Sequence, residues 1–258
     1  MSKRSWIFIL FAYGIAWGLW GSQIASDAGW PIPLLLIQLG MVASWAPLFA
    51  RLIVESNGNW KSRIVRLWID LIAESKKLKW LGLAILLGMT PPLLAQALTN
   101  QLTGQVFQWG YPPPAWGFVW ISILFVGGGF EEFGWRGWLY PELRKRWNPF
   151  VVGILVGVIH ALWHLPLHFL EGTVQAAIPL WEFILLTATS GWIYAWIMMR
   201  SKGVYAVILY HTFANFGAAL GTYWQVPEGR WIVFGLQSVL ILALFVHSRK
   251  RWLQISDA

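Results

Sequence analysis

The chain has 258 residues, of which 57% are hydrophobic and only 12% charged, with 21 Trp and no Cys. Soluble domains carry about 45–50% apolar and about 25% charged residues, so a water-covered globule is excluded, and 17% aromatic residues exclude disorder. A net charge of +8 then reads as membrane topology and anionic-lipid contact rather than nucleic-acid binding, while the missing cysteines remove thiol catalysis and Cys-ligated zinc.

A membrane-spanning helix needs about 20 predominantly apolar residues. In chain order, eight segments qualify: Trp6 to Ile24, Pro31 to Val54, Trp80 to Leu98, Trp116 to Phe130, Phe150 to Leu170, Trp181 to Met199, Val204 to Gly221 and Trp231 to Val246. The first is not read as a signal peptide, because another span follows at once where soluble sequence should begin. Between the second and third, Lys61 to Lys79 alternates charged and apolar residues at helical spacing and reads as an amphipathic helix at the cytoplasmic interface. The expected architecture is all-α: a single polytopic membrane domain over 1–258, with this interfacial helix at 61–79 and a core at about 116–221 that carries the polar residues discussed below.

The basic residues assign sides to the loops. Lys and Arg collect in cytoplasmic loops, and with eight spans 18 of the 19 fall on one side, leaving only Arg230 opposite, in the company of Asp27, Glu171, Glu182 and Glu228. Both termini are therefore expected in the cytoplasm, in a multi-pass protein of the plasma (cell) membrane.

Ionisable groups inside a membrane are costly and normally face a cavity or a partner. Glu131, Glu132 and Arg136 follow the Gly127–Gly129 run. Four-residue spacing lets Glu132 pair with Arg136, which leaves Glu131 pointing elsewhere and available for proton transfer. His160, His164 and His168 repeat at the same spacing in the fifth span, although Pro166 threatens the stripe, and His211 stands four residues before Asn215 in the seventh. Counting 1.5 Å per residue puts Glu131, His164, His211 and Asn215 about 10–21 Å into the membrane, at depths where they can meet.

These residues resemble the motifs of a known family. Glu131-Glu132-Phe133-Gly134-Trp135-Arg136 fits Glu-Glu-x-x-x-Arg, His160 to His164 corresponds to Phe-x-x-x-His, and His211 to Asn215 fits His-x-x-x-Asn, the three motifs of the CAAX prenyl endopeptidase and bacteriocin-processing (CPBP, or Abi) intramembrane proteases. The sequence departs from the pattern at His160, which stands where the family has Phe, and His168 has no place in it. The resemblance implies a membrane-embedded endopeptidase acting near the cytoplasmic face. It implies Glu131 as general base, His164 helping to hold the attacking water, His211 and Asn215 as oxyanion donors, and Glu132 with Arg136 orienting the helix. The implied substrate is a peptide or prenylated peptide, with membrane lipids as the other partner and no nucleic acid.

His160 and His168 are left as possible extra contacts, able to tune the site or to bind metal. No cofactor is expected. A zinc endopeptidase using Glu131, His164 and His211 is the chemical alternative, since carboxylate and imidazole are zinc ligands, although the usual His-Glu-x-x-His motif is absent. A non-enzymatic immunity or scaffold protein and a proton-coupled transporter are the alternatives of other classes.

Overall fold

The computed structural model describes residues 1–55, 59–75, 78–104 and 108–254. They form a polytopic bundle of helices, with no strand among the described residues. The helices are α1 (Lys3–Asp27), α2 (Leu34–Val54, with a 3₁₀ stretch at Gly40–Trp45), α3 (Trp60–Ser75), α4 (Leu78–Thr103), α5 (Trp116–Phe125), α6 (Tyr140–Arg144), α7 (Pro149–Trp163), α8 (Leu180–Ser201), α9 (Tyr205–Leu220) and α10 (Pro227–Trp252).

Among the described residues, seven segments are long and apolar enough to cross a membrane, one of them being the interrupted stretch Pro113–Arg144. The eighth expected span exists as α9 but has only 16 residues, about 24 Å of helix against a hydrocarbon core of about 30 Å. Residues 206–212 of α9 are buried all round, so this is an inner helix covered by protein, and its apolar sequence reflects that burial. The expected amphipathic segment forms α3, where Val65 and Trp68 are exposed and Leu67 is buried. Residues 76–77 and the side chains of Arg66 and of 69–75 lie outside the described residues, so that face is described only in part.

The helices that carry the site are fixed by small residues and by indole hydrogen bonds. A Cβ on Gly157 would stand 2.3 Å from the Ala188 carbonyl oxygen, and one on Gly191 2.2 Å from that of Gly153. Helices α7 and α8 therefore touch backbone to backbone, as small residues allow in membrane bundles. Asn148 starts α7 by accepting from the Val151 amide at 3.0 Å, with Pro149 at the first helical position. Helix α1 then holds α7 from outside. Tyr13 donates to the Ile159 carbonyl, Trp17 to that of Trp163, and Trp163 back to that of Ala12, at 2.5, 2.9 and 2.9 Å. Buried Phe8, Trp20, Trp135 and Trp163 pack edge to face around this junction, so the C-terminal end of α7, with its histidines, sits on a rigid aromatic floor.

Candidate active site

The fourth expected span is not one helix. Helix α5 ends at Phe125, and Gly128 has φ 134°, a conformation that side chains disfavour. Space forbids a side chain there as well, because a Cβ on Gly128 would lie 2.7 Å from His211 Nε2 and 2.9 Å from Asn215 Nδ2. The chain resumes as a 3₁₀ turn (Gly129–Glu131), a single helical turn (Glu132–Gly134) and a π-helical turn (Trp135–Leu139) before α6. Wide π turns occur frequently at functional sites. The glycine run thus interrupts the helix and sets Glu131 and Glu132 at the start of a new helical segment.

The two carboxylates diverge, as their spacing requires. Arg136 Nη1 lies 2.9 and 3.0 Å from the two Glu132 oxygens, so the expected i,i+4 pair forms, through one guanidinium nitrogen. The same Nη1 contacts His160 Nδ1 at 3.1 Å, and His160 Nε2 contacts Glu131 Oε2 at 2.8 Å. Glu132 Oε1 also meets His211 Nδ1 at 2.6 Å. Glu131, Glu132, Arg136, His160 and His211 are all buried. The Arg136 guanidinium also lies over the Tyr194 ring, 3.8 Å from its centre, a cation–π contact that compensates a desolvated charge.

His164 caps the end of α7, and its Nδ1 approaches the His160 carbonyl at 3.0 Å. A carbonyl only accepts, so His164 Nδ1 carries the proton and Nε2 is left to face the site. Asn215 Nδ2 donates to the Gly127 carbonyl at 2.7 Å, which ties α9 to the helix break. A cavity of about 400 Å³ is bordered by His160, His164, His211 and Asn215 and extends to Glu182, Arg230, Trp231 and Phe234. Glu131 does not line it directly and lies behind His160. At the far end Arg230 Nε pairs with Glu182 at 2.5 Å.

The structure therefore brings together Glu131, Glu132, Arg136, His160, His164, His211 and Asn215. His168 is not among them: α7 stops at Trp163, and Pro166 directs His168 into a 3₁₀ turn (Leu165–Phe169), where its ring meets Phe183 instead. The sequence had left His160 as an extra contact, whereas it is the hydrogen-bond partner of Glu131. Its signal was the four-residue spacing to His164. Gly128 was missed as a functional position, because a positive φ leaves no trace in an apolar run.

Glu131, His160 and His164 each offer a ligand atom within 4.8 Å of the others, close enough to share a metal ion. This trio differs from the expected Glu131, His164 and His211 in that His160 takes the place of His211. The donor chemistry of the trio fits a metal poorly. A guanidinium only donates, so the His160 lone pair at Nδ1 is taken by Arg136 and the nitrogen facing Glu131 carries the proton. A metal ligand needs a free lone pair at that second nitrogen.

Residues 113–217 match the model of the Rce1-like family, type II CAAX prenyl endopeptidases. The chain is also 27% identical over 141 residues to CAAX prenyl protease 2 of Methanococcus maripaludis, an alignment covering 52% of this chain and 51% of that one. The chain thus spans about half the length of the curated relative it matches. The resemblance read from the three motifs is borne out, and the matched segment contains every residue of the buried network.

Proposed function

We propose that this chain is a membrane-embedded endopeptidase of the CAAX prenyl protease type that works without a metal. The observation that carries this reading is the meeting of three sequence-distant motifs in one buried hydrogen-bonded network beside a cavity, inside the segment similar to these proteases. In the proposed reaction Glu131 takes a proton from water as the water oxygen attacks the scissile carbonyl carbon. His164 Nε2, lacking a proton of its own, accepts from the same water and orients it. The C–N bond then breaks, and the proton held by Glu131 passes to the leaving nitrogen, giving a carboxylic acid and an amine.

The developing oxyanion needs preorganised donors. Asn215 retains one amide N–H beyond its bond to Gly127, and His211 presents Nε2 on the same side of Gly128. Glu132, paired with Arg136, accepts from His211 Nδ1, which fixes the ring with Nε2 beside Gly128, and the proposed second donor is His211 in its doubly protonated form.

The proposed substrate is a peptide whose prenyl group or apolar side chains fill the cavity. The cavity extends toward Glu182 and Arg230, on the side opposite the basic loops, so we place the cut at the inner end of this cavity instead of at the cytoplasmic face first expected. The test is mass spectrometry of a prenylated C-terminal peptide and its unprenylated counterpart after incubation with the purified chain in lipid vesicles. We expect a single internal cut in the prenylated peptide, slowed about 10²–10³-fold in His211→Ala, the typical loss for an oxyanion donor. Intact peptides, or cleavage unaffected by that substitution, would overturn the reading.

A further inference from the structure

The geometry points to His160 as a positioning residue that holds the Glu131 carboxylate for water activation by relaying the fixed donor of Arg136. The inference rests on the endopeptidase reading and deepens it, since a Phe, the residue of the family motif at this place, cannot perform the task.

The argument is one of proton accounting. Arg136 is charged and can only donate, and its Nη1 has two hydrogens. The Glu132 oxygens, at 2.9 and 3.0 Å, share one, and His160 Nδ1, at 3.1 Å, takes the other. Nδ1 is then an acceptor, His160 is the neutral Nε2–H tautomer, and it donates to Glu131 Oε2 at 2.8 Å. This is the one side-chain hydrogen bond to Glu131 among the described residues, so the other oxygen, Oε1, is left for the water. A flipped ring would present carbon to both Arg136 and Glu131 and lose both bonds, and the ring packs against Trp135 and Trp163, with centroids 5.5 and 5.9 Å away. A group that fixes the orientation of a catalytic base by a donated hydrogen bond saves the reaction the cost of ordering it.

Two substitutions separate hydrogen bonding from packing. His160→Phe keeps an aromatic ring between the two indoles and loses the relay. His160→Gln loses the ring, but its amide oxygen accepts from Arg136 and its amide nitrogen donates to Glu131. The relay predicts that kcat falls about 10-fold or more in His160→Phe with KM little changed, the size of a lost hydrogen bond to a charged group, and that His160→Gln recovers most of it. A purely structural role predicts the reverse order, and Phe equal to or better than Gln overturns the proposal.

A second measurement is independent of turnover: ¹⁵N-histidine NMR of the wild-type chain in micelles, with His160 assigned by difference against single variants of the histidines. A protonated Nε2 with a bare Nδ1 supports the relay, and a protonated Nδ1 or an imidazolium overturns it. If the wild type cleaves nothing, the endopeptidase reading falls, and the NMR result still decides the role of His160.

Discussion

Glu132 has no freedom to act as a base, since Arg136 and His211 both claim it, whereas Glu131 has one neutral donor and an uncommitted oxygen. Two adjacent carboxylates thus differ in role because neighbouring helical residues point about 100° apart. The distinction predicts different failures. Removing Glu132 leaves the buried Arg136 charge without its carboxylate, which typically costs about 3–5 kcal/mol. Glu132→Ala should therefore lower the denaturation midpoint in micelles markedly, while Glu131→Gln should unfold near the wild-type midpoint. Equal midpoints for Glu132→Ala and wild type would refute the structural role. The i,i+4 pairing and the meeting of Glu131 with a histidine were legible in the spacing. That His160 is the partner was not, because the choice between His160 and His164 depends on where α7 stops.

At the scale of elements, the break at Gly127–Gly129 and the π turn behind it decide which way the carboxylates face. Composition showed an uninterrupted apolar stretch from Trp116 to Phe130, and a window of apolar residues does not register a break in the helix. Helix α9 is shorter and more enclosed than its sequence suggested for a related reason, since burial in protein and burial in lipid select the same apolar residues. Gly128 supplies the test. A side chain at φ 134° carries strain of about 1–3 kcal/mol, and its Cβ would press on His211 and Asn215. Gly128→Ala is expected to lose about 10-fold or more in kcat, each 1.4 kcal/mol being one decade, with the helical circular-dichroism signal retained. Unchanged turnover would mean that the break at Gly128 does not set the oxyanion donors.

For the whole molecule, the Lys/Arg bias gives a direction to the bundle, and the absence of native cysteine makes it directly measurable. With the termini in the cytoplasm, Glu228→Cys near the far end of the cavity should react with a membrane-impermeant maleimide on intact cells, and Lys145→Cys only after lysis. The opposite pattern would invert the proposed topology and, with it, the side from which the cavity is reached. The polytopic helical class was legible from composition alone, because 12% charge cannot cover a soluble surface. The cavity was not, since it depends on how α4, α8, α9 and α10 pack. The account as a whole turns on Glu131 as a metal-independent base. The most direct measurement is the initial rate of prenylated-peptide cleavage by purified wild type and Glu131→Gln, each stripped of metal by chelation. We predict full wild-type activity after stripping and a loss of about 10²–10⁴-fold in Glu131→Gln, the usual contribution of a general base. Activity lost on chelation and restored by zinc, or equal rates for the two proteins, would contradict it.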